Sequence, residues 1–485
     1  MRDNLNRRSF LKGMGGTLAA PPAAPAATPP NVLFIISDQF HHASYGAAGN
    51  PVVKTPHLDR LAGEGVRFEH ALCATPFCSP TRASFLTGLY AHKHGITHNV
   101  DGNKAGLNPN LPSTEQVLFE NGYACRQFGK WHLGERSTLP AYAGQAEEAY
   151  REKGPGRKSG PEVGRSGLEI HMTEAVRQAN AKWDGNGASN TRIGRIERAP
   201  EMSPESRITD EAIRELDRLA GKPFLLTVSL PAPHAPWEVG EPYYSMHKRA
   251  SIALPANRNS VEPVDRTTAA WRFGQLLGED GMREYLGVYY GLISMVDWNI
   301  GRLLDALKNR SLERDTLVIF TADHGDMHGG HGMYDKQTYS MYEETTRVPL
   351  ILRWPGKIAA GKTVRTQAGS CDLHPTILDY LSLKPRGTVH GASLRNYIEG
   401  REDESRPMFC ERERGRDGFQ RLIRTLDWKY AYNSNGASQL YHLAKDPGET
   451  RNLLKDPSAG PVRLKLHGQL AEWMRQTEDG RSLAG

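Results

Sequence analysis

Val32-Leu33-Phe34-Ile35-Ile36 is an unbroken apolar run that ends in Ser37-Asp38-Gln39. A run without polar alternation fits a strand buried on both faces, as in a parallel α/β sheet. Similar runs stand at Phe224–Leu230, Leu317–Phe320 and Val348–Leu352. Helical spacing lies between them. Thr209 is placed to cap a helix with Ala212, Ile213, Leu216 and Leu219 on one face, stopped by Gly221 and Pro223. A longer helix is expected from about Met282 to Leu307, with Leu286, Tyr290, Ile293, Val296, Ile300 and Leu303 on one side. This alternation predicts an α/β fold, a mostly parallel sheet sandwiched by helices.

Residues 135–205 break the pattern: they are rich in Gly, Ser, Arg and Glu with little apolar periodicity, and we read them as substrate loops. Beyond about residue 400 the character changes. Arg421–Leu426 and Trp428–Tyr432 read as adjacent strands, followed by Leu440–Leu443 and a turn at Asp446-Pro447-Gly448. Leu464, Leu466, Leu470 and Trp473 mark a final helix. The expected division is a leader at 1–30, a main domain at 31–400, and a smaller C-terminal subdomain at 401–485, an antiparallel sheet plus a helix.

The leader is an address and not structure. Asn6-Arg7-Arg8-Ser9-Phe10-Leu11-Lys12 resembles a twin-arginine export motif, followed by a weakly apolar stretch and the Ala/Pro-rich segment Pro21–Pro30. That stretch is too short for a permanent anchor. The expectation is a bacterial periplasmic or secreted protein that uses the twin-arginine export machinery. Charge adds little: the net +6 includes four cations and one acid in the first 30 residues, and no Lys/Arg run resembles a nucleic-acid patch, so no nucleic-acid partner is expected. Five cysteines without a C-x-x-C pair argue against a disulfide scaffold and a zinc knuckle.

Polar residues placed just after buried strands carry the most information, because open α/β sheets build sites beyond the carboxyl ends of their strands. Asp38-Gln39, His234 and Asp323-His324 each stand there. His41, His42, His328, His331 and Asp326 flank these positions and either line the pocket or are loop residues.

Cys78 opens Cys78-Ser79-Pro80-Thr81-Arg82, followed by Ala83, Ser84, Phe85, Leu86 and Thr87-Gly88. Alone, C-x-P-x-R is as readily a buried thiol beside a helix start. The longer pattern resembles the type I sulfatase signature. Gly122–His132, Pro233-His234-Ala235-Pro236, Thr321–Gly325 with Lys336, Glu343–Leu350, and the tail Leu440–Leu443 with Asp446–Glu449 resemble further parts of that family, so the resemblance runs from Asn31 to Leu453. Cys125 stands where the family usually has Ser or Thr.

The resemblance implies an alkaline-phosphatase-like fold and hydrolysis of sulfate monoesters, with carbohydrate sulfate favoured and aryl sulfate possible as substrate. It implies that a maturation enzyme oxidises Cys78 to formylglycine, whose hydrate attacks sulfur with one hydroxyl and expels sulfate through the other. Asp38, Gln39, Asp323 and His324 match the family's metal positions. Three oxygen donors and one imidazole suit calcium first and magnesium second. Arg82, one helical turn after Cys78, reaches back to the same place. Lys130 and Lys336 supply positive charge for the sulfate oxygens. His132 is the base for the hydrate hydroxyl and His234 the acid for the leaving oxygen, tasks that suit an imidazole. Gln39 replaces the Asp of many sulfatases and resembles phosphonate monoester hydrolases, so a phosphonate monoester or phosphodiester hydrolase is the alternative. A non-catalytic sulfated-glycan-binding protein is the reading if Cys78 stays unmodified.

Overall fold

The apolar runs become the centre of one twisted sheet in the computed structural model, which describes residues 29–100, 105–142, 168–185 and 191–483. The export motif and most of the Gly-rich part of 135–205 lie outside the described residues. The strands of the main sheet are β1 (Asn31–Asp38), β2 (Val66–Phe68), β3 (Ala124–Gly129), β4 (Phe224–Pro233), β5 (Thr316–Ala322), β6 (Leu350–Arg353) and β7 (Lys362–Val364), in the spatial order β7-β2-β6-β5-β1-β4-β3. β1 runs parallel to β4 and β5, with Ile35 opposite Val228 and Phe320, and β3 runs parallel to β4. All eight residues of β1 are buried. Successive side chains alternate sides, so both faces of the sheet are covered.

The run at 348–352 departs from expectation. It splits at Pro349: Arg347–Val348 joins a small sheet with Ala71–Leu72 and Ala368–Gly369, while β6 runs antiparallel to β5. Proline has no N–H to give a ladder, and its carbonyl is taken by the Thr321 hydroxyl at 2.8 Å.

Four helices matter for the site. α1 (Pro56–Gly63) precedes β2, α2 (Cys78–Thr87) carries the signature, α3 (Pro204–Arg218) leads into β4, and α4 (Ala269–Asn309) leads into β5. α3 starts earlier than expected. Ser203 is the cap, accepting the Ser206 amide at 3.1 Å with Pro204 at the first helical position, and Thr209 is buried inside the helix. α4 also starts earlier, at Ala269, but Gly278 interrupts it with φ +62°, a conformation that glycine adopts without a Cβ penalty. Phe34 of β1 meets Phe85 of α2 edge to face at 5.7 Å, pinning α2 against the sheet.

The C-terminal subdomain is an antiparallel sheet of β8 (Met408–Glu413), β9 (Phe419–Arg424), β10 (Trp428–Asn433) and β11 (Gln439–His442), packed by α5 (Gly460–Gln476). β8 is a strand that periodicity missed, because its apolar start, Met408-Phe409-Cys410, is short and gives way to Glu411-Arg412-Glu413. In α5, Leu466, Leu470 and Trp473 are buried at i, i+4, i+7 spacing, whereas Leu464 is 67% exposed on the other side. The segment 135–205 is less irregular than expected: Ile170–His171, Glu174–Ala181 and Ile193–Ile196 are regular, and Ile193–Ile196 pairs with Trp237–Val239.

One face of the C-terminal sheet grips the chain after Lys336. Arg412, Gln420 and Lys429 donate to the backbone carbonyls of Thr338, Tyr339 and Met341, and Gln439 donates to the Ser340 hydroxyl. Arg424 and Lys429 both pair with the buried Glu343.

Candidate functional site

β1 is regular until Ser37, where its register against β4 shifts. The Ser37 hydroxyl donates to the Ala232 carbonyl at 2.7 Å, and the next two residues turn out of the sheet, Gln39 with φ +62°. Such a backbone in a non-glycine residue is uncommon and marks a held position. Asp38 is thereby set at the carboxyl edge. β5 ends one residue before Asp323-His324, β3 one residue before Lys130, and β4 one residue before His234. Four strand ends converge there.

Cys78 is the first residue of α2, and all ten residues of that helix are buried. Its Sγ lies 3.2 Å from His324 Nε2, 3.3 Å from Lys336 Nζ and 3.8 Å from Asp38 Oδ1. Arg82, one turn on, is the hub beneath it. Its Nε donates to Asp323 at 2.9 Å, Nη2 to Asp38 at 3.3 Å, and Nη1 to the Lys130 carbonyl and the Ser229 hydroxyl, each at 2.8 Å. Lys130 Nζ donates to Asp38. Seven of the ten expected residues thus touch one another directly.

The other three attach at the edge. His132 hydrogen-bonds the Cys78 side chain. His234 donates its backbone N–H to the Asp38 carbonyl at 3.1 Å, and its Nδ1 pairs with the Ala235 carbonyl at 2.7 Å. A carbonyl only accepts, so the proton sits on Nδ1 and Nε2 is left for proton exchange. The same logic applies to His324, whose Nδ1 faces the Gly325 carbonyl at 2.8 Å while Nε2 faces Cys78.

Gln39 holds an unforeseen pair of partners. Its Nε2 donates to Asp326 at 2.6 Å and Asp335 at 2.9 Å, and its Oε1 is buried without a partner. Asp326 also accepts from Tyr285 at 2.6 Å, and burial pushes it up to about 6. Asp335 precedes Lys336 and accepts its amide at 2.7 Å. Ser229, Asp335 and Tyr285 were not singled out in the sequence, and only adjacency to Lys336 hinted at Asp335. His41 and His328 stack at 4.5 Å behind Gln39, while His331 stacks on Tyr342, away from the cluster.

Charge explains the protonation states. Burial pushes the Cys78 thiol up, but Lys130, Lys336 and His324 outweigh it and hold it well below the usual thiol range. The start of α2 adds to that preference for an anion. Burial and Cys78 push Asp38 up, yet Lys130, His234 and Lys336 prevail and hold it below the carboxylate range. Burial pushes Lys336 down, and Cys78, Asp38 and Asp335 more than reverse it. The pocket is built to hold a negative oxygen or sulfur at residue 78 and further anionic oxygens beside it.

The residues also fit a divalent cation. One ligand atom each from Asp38, Cys78, Asp323 and His324 lies within 4.8 Å of the others. The orphaned Oε1 of Gln39 supplies a further neutral oxygen, since two carboxylates fix the amide with its NH₂ facing away. Carboxylate and amide oxygens with one imidazole are donors for a hard cation.

The chain is similar to known proteins over most of its length. The Sulfatase family model matches residues 30–383, and that of N-sulphoglucosamine sulphohydrolase, C-terminal, matches 329–476. The ulvan-active sulfatase of Formosa agariphila is 29% identical over 469 residues, 93% of this chain and 82% of that protein. The arylsulfatase of Clostridium perfringens is 28% identical over 446 residues, 88% and 90% of the two chains. The solved structure of the phosphonate monoester hydrolase of Agrobacterium radiobacter has a TM-score of 0.72 at 26% identity, covering 92% of this chain and 96% of that one.

Proposed function

The chain belongs to the sulfatase family and is a sulfuric ester hydrolase, and from this we propose that it cleaves carbohydrate sulfate monoesters using a formylglycine made from Cys78 beside a calcium ion. The observation that carries the reading is the setting of Cys78, with a lysine and a histidine within 3.3 Å of its Sγ at the head of a helix.

In this reading Sγ marks where the hydrate oxygens of residue 78 stand. The hydrate supplies two hydroxyls on one carbon, one to attack sulfur and one whose deprotonation releases sulfate. Asp38, Gln39, Asp323 and His324 would hold the cation, which would supply Lewis-acid polarisation of a sulfate oxygen. Magnesium is the second choice, because calcium accepts more ligands and looser geometry. Lys130 and Lys336 neutralise the sulfate oxygens as charge builds on them. Arg82 holds both aspartates in place. His132, bonded to residue 78, takes the proton from the hydrate. His234, through Nε2, gives one to the leaving alcohol.

The substrate is a sulfated glycan fragment or, second, an aryl sulfate. The twin-arginine-like leader supports export to the periplasm or beyond, after a maturation enzyme has acted on Cys78. Gln39 favours one competing reading, a phosphonate monoester or phosphodiester hydrolase with the same site, because an amide in place of a carboxylate changes the charge around the cation.

The test is a peptide mass spectrum of natively produced protein, followed by parallel rates. Replacement of sulfur and two hydrogens by one oxygen on the Cys78 peptide, with sulfate esters cleaved faster than phosphonate esters, supports the proposal. A preference for phosphonates favours the competitor. An intact thiol in protein that binds sulfated glycans without turnover leaves a binding protein.

A further inference from the structure

Strand β8 ends in Glu411-Arg412-Glu413 and Arg414 follows it directly, and alternation along the strand sends the two acids one way and Arg412 the other. The acids are paired: Glu411 with His92 and Arg421, Glu413 with Arg421 and Arg481. The arginines are not. Among the described residues neither Arg412 nor Arg414 forms an ion pair. Arg412 gives one N–H to the Thr338 carbonyl at 2.7 Å and lays its guanidinium 4.5 Å from the Phe77 ring centre. Arg414 lies 3.9 Å from the Tyr339 ring centre, with Nε and Nη1 buried and without partners. The nearby acid, Asp265, spends its oxygens on the amides of Tyr339 and Ser340. Burial and then Arg414 push Arg412 down to about 9. The two cations stand two residues apart, and Asp265 offsets only part of the cost to Arg412.

Their place gives the cost a purpose. Phe77 immediately precedes Cys78, Thr338 follows Lys336 by two residues, and the Glu411 amide bonds the Ala74 carbonyl at 2.9 Å. Along the same face of β8, Met408 and Cys410 are buried core, and the face turns cationic only where it reaches the segments that carry the reacting groups. Guanidinium groups flat on aromatic rings are pre-aimed for planar anions.

We propose that Arg412 and Arg414 form a second anion subsite, which binds a further sulfate or carboxylate on the same substrate beside the ester being cleaved. The substrate class is then a sugar carrying at least two acidic groups, and not a neutral sugar with a single sulfate. This rests on the reading above only in taking residue 78 as the reacting end.

The test compares full-length parent protein with the Arg412→Gln/Arg414→Gln double variant. Inorganic sulfate, a single anion, and sucrose octasulfate, a compact polyanion, serve as inhibitors of 4-nitrophenyl sulfate hydrolysis and as titrants in calorimetry. The expected result is a loss of octasulfate affinity, relative to inorganic sulfate, of roughly tenfold or more, the size of one or two charge-assisted contacts. Arg412→Lys/Arg414→Lys, which keeps the charge and loses the fork, should fall between. An unchanged ratio overturns the proposal, as does a parent that binds octasulfate no better than sulfate. An equal loss from Arg416→Gln, at an exposed neighbour, overturns it in favour of general surface charge. If calorimetry shows the arginine-dependent affinity while no sulfate ester is cleaved, the subsite stands and the chemistry assigned to residue 78 falls. If 4-nitrophenyl sulfate is cleaved and the ratio does not move, the reverse holds.

Discussion

Lys336 Nζ lies 3.3 Å from Cys78 Sγ although 258 residues separate them in the chain. The contact depends on the C-terminal sheet, whose side chains hold the carbonyls of residues 338, 339 and 341. Lys336→Ala should therefore fold normally and lose most of its turnover, about 10²–10³ in kcat, the cost of removing one aimed donor. Steady-state rates with a melting curve check this, and parental rates from the variant would remove the lysine from the site.

Among the described residues, Arg82 is the sole guanidinium touching both Asp38 and Asp323. Arg82→Met should strip Asp323 of its guanidinium and leave Asp38 to Lys130 alone, and cost about 3–5 kcal/mol. Urea unfolding with and without added calcium reads this out. A loss in the absence of calcium that shrinks when calcium is present is expected, because the cation binds the same carboxylates.

Gln39 joins the expected cation site to Asp326 and Asp335. Gln39→Ala should weaken calcium binding by about 10–100-fold, the usual effect of losing a ligand or its orienting partner. Calorimetry on chelator-treated protein measures it independently of activity. An unchanged affinity would show that the orphaned Oε1 is not a ligand.

Glu115 gives a pH dependence remote from the site. Burial pushes it up to about 7, with only a 3.4 Å contact from the Tyr142 hydroxyl to one of its oxygens. The folded state then binds this proton more tightly than the unfolded chain does. Its stabilisation is complete below the ordinary carboxylate range near 4.5 and disappears as pH rises through about 7. The size is about 3 kcal/mol. Unfolding measured from pH 5 to 8 should show that decline, and Glu115→Gln should flatten it.

Much of this was legible in the chain. Val32–Ile36 declared a two-face-buried strand, and the polar residues after three such runs met at one edge. Cys78 and Arg82 were legible through the signature they resemble, and helical geometry explains why a residue and its fourth successor meet. What stayed hidden was non-local. The bonds from Gln39 to Asp326 and Asp335 span 287 and 296 residues, and no periodicity encodes them. Nothing in the sequence marks Arg412 and Arg414, whose setting depends on the guanidinium of Arg412 lying over Phe77 and that of Arg414 over Tyr339. Pro349 was in plain view, but its effect on a run of apolar residues depends on which neighbour lacks a donor. Leu464 was assigned to the helix face by its type alone, when its phase already put it on the opposite side.

The burial of Cys78 also bears on how the protein is made. The residue has no exposed surface, and the segment before it is covered by β8, a strand made near the end of synthesis. An enzyme that alters Cys78 needs room for its own active site around the thiol, and the finished molecule offers none. The chance for that encounter lies while the chain is still emerging, and it closes when the last strands dock. If Cys78 is converted as proposed, a molecule that folds first would keep its thiol. The rate of folding, relative to the supply of the modifying enzyme, would then set what fraction of the protein in a cell is active.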